Sequence, residues 1–146
     1  MILKGTNAGL GLLLLRVALG LIFVMHGLGK LVGPPFVGGG MEAWIGFVTS
    51  LGFPVPVAVA WFGALLETLG GVALIIGAGV PVAALLLAIE MAIGAWKVHI
   101  AHGFDVFHFG DAAARGYEYN LALIGGLLAL VFGGPGILAL QLRPKP

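Results

Sequence analysis

Four stretches of this chain, 9–31, 57–76, 80–101 and 117–133, are predominantly apolar and close to the roughly 20 residues an α-helix needs to cross a bilayer. That feature settles the solvent before any other. With 60% of its 146 residues hydrophobic and only 9% charged, the chain has too few charged side chains to cover a water-facing surface; a soluble domain carries about 25%. The 26 glycines follow no collagen-like triplet, and the abundance of leucine, valine and alanine excludes a disordered chain. The expected fold is an all-α integral membrane protein, an antiparallel four-transmembrane-helix bundle forming one domain over 1–146.

The connections fit this topology. Only Gly77-Ala78-Gly79-Val80-Pro81 joins the second and third stretches, so they form an antiparallel hairpin, with proline in the first turn of the following helix. The last stretch stops at Gly133-Gly134-Pro135-Gly136, which extends a helix only at high cost. Between the first two stretches, 32–56 opens with Gly33-Pro34-Pro35 and Gly38-Gly39-Gly40, and then Met41, Trp44, Ile45, Val48 and Leu51 recur at helical spacing. This predicts a short amphipathic helix over 41–51 in the first outer loop, either an interfacial anchor with Trp44 at headgroup level or a lid hinged at the glycines. Lys4 precedes the first span and Arg143 and Lys145 follow the last, whereas 32–56 has no basic residue and 103–116 has only Arg115; both termini are expected to be cytoplasmic. The N-terminus is read as a retained first helix rather than a signal peptide, because Arg16 falls within the apolar region and no clean small-x-small cleavage site precedes the polar residues.

Charge inside a span costs about 2.5–3.5 kcal/mol per residue if it faces lipid, so these side chains are expected to turn inward. At about 100° per residue, Arg16, Gly20, Phe23, Gly27 and Lys30 share a stripe on the first helix, with His26 on its flank. Glu67 shares one with Ala60, Gly63, Ala64, Gly70 and Gly71. Glu90 shares a face with Ala83, Gly94, Lys97 and Ala101, and Glu118 with Ala122, Gly125 and Ala129. Small residues on such faces let helix backbones approach closely. Judged by depth along the helices, two layers are expected: Arg16 with Glu67 and Glu90 in the middle, and Lys30, Lys97 and Glu118 with His26 toward the outer end. Such a cluster is either a ligand-binding and proton-relay site or a set of ion pairs that lock the helices in register.

Other chemistries find less support. The net charge of +1 comes with no basic stripe for nucleic acid. Without cysteine there are no disulfides, thiol relays or thiolate-held iron–sulfur clusters. A haem between His26 and His99 or His102 is disfavoured, since His99 lies about 180° and His102 about 120° from Glu90 on their helix. No glutamate is followed by histidine three positions on, as a bundle di-iron site would need. His108 with Asp105 and Asp111 makes only a weak loop-metal candidate, so no metal is expected, and Gly27-Leu28-Gly29-Lys30 lacks the spacing of a phosphate loop.

The run Leu15-Arg16-Val17-Ala18-Leu19-Gly20 followed by His26-Gly27-Leu28-Gly29-Lys30-Leu31 resembles the first helix of the DoxX family of small membrane proteins. Gly52-Phe53-Pro54, Glu67-Thr68-Leu69-Gly70-Gly71 and Gly133-Gly134-Pro135-Gly136 are similar to its later signatures, in the same order. The resemblance implies four helices in a prokaryotic plasma membrane. It also implies relatives that are subunits of a thiosulfate:quinone oxidoreductase or associate with detoxifying redox enzymes, with Arg16, Lys30 and Glu67 at the family's recurring polar positions. One departure stands out: Ile137-Leu138-Ala139-Leu140-Gln141 replaces a Ser-Leu-Asp-like sequence, so no role of that aspartate carries over.

The leading expectation is a redox-associated accessory subunit of a quinone-linked oxidoreductase, with a quinone-type site in the bundle. Lys30 and His26 would donate to ring oxygens, Glu67, Glu90 and Glu118 would relay protons, and Trp44 or Tyr117 would cover the opening. Electrons would come from a soluble or membrane redox partner. The competing expectation is a non-catalytic scaffold whose small-residue faces pack against a partner or form a homo-oligomer. A small-solute or proton transporter ranks below both, because the chain has no inverted repeat and would need to dimerise.

Overall fold

The computed structural model describes residues 5–36, 38–105 and 116–140. Among them the chain is all helical. It forms α1 (Gly5–Leu31), α2 (Gly40–Ser50), α3 (Pro56–Ile76), α4 (Val80–Gly94) and α5 (Glu118–Gly133). From α4 the chain continues through a π-helical turn, Ala95–His99, and a 3-10 turn, Ile100–His102. Three helical stretches, Asn7–Leu31, Pro56–Ile76 and Val80–His102, are long and apolar enough to cross a membrane. At 16 residues, or about 24 Å, α5 falls short of the about 30 Å hydrocarbon thickness.

The α3–α4 hairpin turns on Gly77 and Gly79, both left-handed at φ +78° and +57°, and Gly77 closes α3 by bonding back to Ala73 and Leu74. Pro81 follows within the first turn of α4, where its missing N–H costs nothing.

The most intimate crossing is α1 on α3. A methyl group at Gly71 would lie 2.8 Å from both Gly20 O and Val24 N, and one at Gly27 would lie 2.7 Å from Thr68 N and 3.0 Å from Ala64 O. Only glycine fits at these points, and the contacts set an antiparallel register in which Gly20 faces Gly71 and Gly27 faces Ala64. The small-residue stripe of α3 is buried throughout, from Ala60 to Leu74.

On α5 the expected inward face is not the observed one. Ala122, Gly125 and Ala129 are exposed, and the buried positions are Glu118, Asn120, Leu123, Leu127 and Leu130. The partner explains the inversion. The buried face of α4 carries Ala83, Ala84 and Ala88, whose short side chains leave room for leucine, and the three α5 leucines join Leu19, Phe23, Leu74 and Leu87 in the main core cluster. Small packs against large here, where the sequence pattern suggested small against small.

Candidate functional site

Side chains on an α-helix lean toward its N-terminus. Because α1 and α3 are antiparallel, Lys30 on α1 and Glu67 on α3 lean toward each other, and their charges meet at 2.6 Å between Nζ and Oε2. Glu67 is 3% exposed and Lys30 17%. The ammonium also lies 4.0 Å from the centroid of the Trp44 ring, on α2. Trp44 in turn donates from its indole N–H to Ala60 O at 3.1 Å, which ties α2 to the first turns of α3.

Arg16 leans the same way along α1 but starts on the N-terminal side of Glu67, so its lean carries it away from that carboxylate, and the expected cluster of Arg16 with Glu67 and Glu90 does not form. Depth counted from α-carbons missed this direction. The guanidinium is 1% exposed and spends all its donors on backbone carbonyls. It donates to Leu74 O at 2.9 Å and to Ile75 O at the C-terminal end of α3, and to Pro135 O at 2.9 Å, Ile137 O at 3.1 Å and Leu138 O at 2.6 Å after α5. The last carbonyls of a helix lack intrahelical partners and form its negative pole, so a buried cation is well matched to them. Arg16 is therefore a clamp between the end of α3 and the segment after α5.

At the Lys30 end, α2, α3 and α4 enclose a cavity of about 330 Å³. Its walls are apolar, with Trp44, Phe47 and Val48 from α2, Phe53 from the following loop, Phe62 and Leu66 from α3, and Ile89 and Met91 from α4. Three ionisable groups reach it: Lys30, Glu90 and Lys97. Glu90 is seated against Gly63, where a methyl group would come 2.8 Å from Oε1. Its other oxygen, Oε2, is buried and has no hydrogen-bond partner among the described residues. Glu90 lies close enough to feel the charges of Glu67 and Lys30.

Lys97 occupies the rim. In a regular helix it would stack two turns beyond Glu90, but the π-helical turn spends an extra residue per turn and carries it off that line. It is exposed, with its ammonium 5.3 Å from the ring centroids of Phe53 and Trp96.

The remaining candidates lie elsewhere. His26 is bonded through Nδ1 to Ile22 O of its own helix at 2.8 Å and does not line the cavity. Tyr117 is no cover for it, since it lines a separate apolar groove of about 320 Å³ between α4 and α5 and meets Phe104 edge-on. Glu118 is buried beside Gly116, with neither oxygen hydrogen-bonded among the described residues, and it too lies away from the cavity. The two layers expected from depth thus become a Lys30–Glu67–Glu90 cluster, with Lys97 at its rim, Glu118 apart and Arg16 at the far end. His99 is half-buried and His102 exposed; His108 and Asp111 lie outside the described residues. No group of three metal-ligating side chains occurs among the described residues.

Two contributors escaped the sequence reading. Gly63 was visible only as one more small residue on the Glu67 stripe, and Phe53 only as part of Gly52-Phe53-Pro54. Neither has a local signal for a cavity that three separate elements enclose.

The DoxX family model matches residues 11–100, which hold Lys30, Glu67, Glu90 and the whole cavity lining. The Bacillus subtilis (strain 168) protein named "Putative oxidoreductase CatD" is 38% identical over 82 residues, 56% of this chain and 54% of that protein. The chain spans about half the length of this curated relative. No solved structure matches the chain.

Proposed function

This chain belongs to the DoxX family, and on that premise we propose that it is a redox-associated accessory subunit of a prokaryotic plasma membrane, with a quinone-type molecule held in the cavity between α2, α3 and α4. In this reading α5 serves as a fourth, shorter span, α2 lies at the interface, and Lys4, Arg143 and Lys145 keep both termini cytoplasmic. The oxidoreductase name of the CatD relative supports the redox association.

The observation that carries the reading is the cavity. A ring with an apolar tail needs an apolar slot and a few polar groups placed at one end. Aromatic and aliphatic walls converge on Lys30 and Glu90, and a buried Glu90 oxygen without a partner among the described residues is the kind of group a ligand satisfies. A bound quinone would supply the electron-accepting chemistry, with electrons delivered by a partner protein. The chain's own residues bind and orient: Trp44 and Phe47 wall the slot, the Lys30–Glu67 pair holds a fixed dipole beside it, and Glu90 holds or takes a proton at its carboxyl.

Protein purified in mild detergent is expected to carry quinone into an organic extract. A short-chain benzoquinone should also quench Trp44 fluorescence saturably in a background where Trp61 and Trp96 are phenylalanine. Absence of both extracted quinone and saturable quenching overturns the reading. A scaffold role is favoured by one observation only, the commitment of every Arg16 donor to backbone carbonyls, and it assigns that residue to assembly rather than to the cavity.

A further inference from the structure

We propose that Glu90 is the ligand-binding acid of the cavity: in its acid form it donates a hydrogen bond to an oxygen acceptor on a lipid-soluble molecule that enters from the hydrocarbon side between α3 and α4. The inference rests on the reading of the cavity as a small-molecule site, and it assigns to Glu90 what the sequence had divided among seven residues.

The first argument is by elimination over polar groups. Glu67 is ion-paired to Lys30, and Lys30 is held by both that carboxylate and the Trp44 ring face. Lys97 is carried out to the rim over Phe53 and Trp96. Glu118 is outside the cavity, and Glu42 is exposed on α2 and does not line it. Among the described residues, Glu90 alone combines a place in the cavity wall with a buried oxygen that lacks a hydrogen-bond partner. A buried carboxyl oxygen without a hydrogen-bond partner is costly, and a ligand that accepts its hydrogen bond relieves that cost.

The second argument is the seat. Gly63 faces Glu90 with no β-carbon, and a methyl there would press on Oε1 at 2.8 Å while touching nothing else closer than Glu90 Cδ at 4.0 Å. The missing side chain leaves space that the Glu90 carboxyl uses.

The third is the doorway. Phe62, Leu86, Ile89 and Ile93 all line the cavity and are all exposed on the outer faces of α3 and α4. In a bilayer that surface meets acyl chains, so the route in is lateral and selects for apolar molecules.

Dicyclohexylcarbodiimide, an apolar reagent, tests this on the intact chain in lipid nanodiscs. A carboxylic acid adds its O–H across one N=C bond of the reagent, and the adduct rearranges to a stable N-acylurea that peptide mass spectrometry locates. Glu90 is expected to label at least about tenfold faster than Glu67, the margin that one charge-assisted bond at Glu67 would produce, and faster than Glu118, which lies outside the cavity. No adduct at Glu90, or labelling of Glu67 or Glu118 at an equal rate, overturns the assignment. Gly63→Ala is expected to change the Glu90 rate alone; an unchanged rate removes Gly63 as the positioning residue. Decyl-1,4-benzoquinone should slow Glu90 labelling. Labelled Glu90 without that protection overturns the quinone reading while supporting Glu90 as the cavity's accessible acid.

Discussion

Neutralising Lys30 gives the sharpest test of how the intramembrane charges are wired. The Lys30→Met variant keeps the length and apolar stem of the side chain and removes the ammonium that sits 2.6 Å from Glu67. At that separation the gross attraction is about 6 kcal/mol for an effective dielectric constant near 20. Desolvation of both ions, at several kcal/mol each, offsets much of it. The asymmetry of exposure then decides the outcome. Glu67 is 3% exposed and would be stranded, so Lys30→Met should cost about 3–5 kcal/mol. Glu67→Gln should cost less, about 1–3 kcal/mol, because the Lys30 that remains still has the Trp44 ring and the cavity beside it. The double variant leaves no stranded ion. The coupling energy of the cycle is therefore expected to be at least about 2 kcal/mol, within the range seen for close charge pairs. The assay is reversible unfolding in mixed micelles of mild and denaturing detergent, with helicity and Trp fluorescence as independent probes. The parallel cycle of Arg16→Gln with Glu67→Gln should be additive within about 0.5 kcal/mol, since Arg16 bonds to carbonyls elsewhere. Strong coupling in the Arg16 cycle together with additivity in the Lys30 cycle would refute the side-chain-direction argument.

Other outcomes follow from the same geometry. Arg16→Lys should not rescue Arg16→Met, which is expected to cost about 3 kcal/mol or more, because one ammonium cannot span the carbonyls of Leu74, Ile75, Pro135, Ile137 and Leu138; full recovery by lysine in the unfolding assay would contradict the clamp. Gly71→Ala places a methyl 2.8 Å from backbone atoms of α1 and should destabilise by about 1–3 kcal/mol, whereas unchanged stability would mean the crossing is looser than described. Leu127→Ala, at a fully buried α5 position, should cost about 2–5 kcal/mol; Gly125→Leu on the exposed face should change stability by less than about 0.5 kcal/mol. The reverse ranking would put the small-residue stripe back inside. Trp44→Phe removes the bond to Ala60 O and should cost about 0.5–1.5 kcal/mol. It should also raise amide exchange in α2 relative to α3; equal exchange in variant and wild type would show that the indole does not tether α2.

What the sequence by itself determined was the solvent and the identities of the actors. Hydropathy needs only local information, so the long helices, the glycine hairpin and the helix near Trp44 were legible as one-dimensional patterns. The inward stripes of α1 and α3 were legible too, because there the contact is small against small on both sides, and periodicity captures a symmetric rule. On α5 the rule failed, since its leucines join a core cluster built with α1, α3 and α4, and which size faces inward depends on partners that the sequence of α5 does not contain. Tertiary structure alone decided the charge pairing. Helix depth put Arg16 near Glu67, but side chains lean toward their own N-terminus, and antiparallel packing turned that lean into a Lys30–Glu67 pair and an Arg16 clamp. It alone also made the cavity: Phe53, Gly63, Glu90 and Trp44 belong to four separate stretches of chain, and the space between them exists only once those stretches are packed.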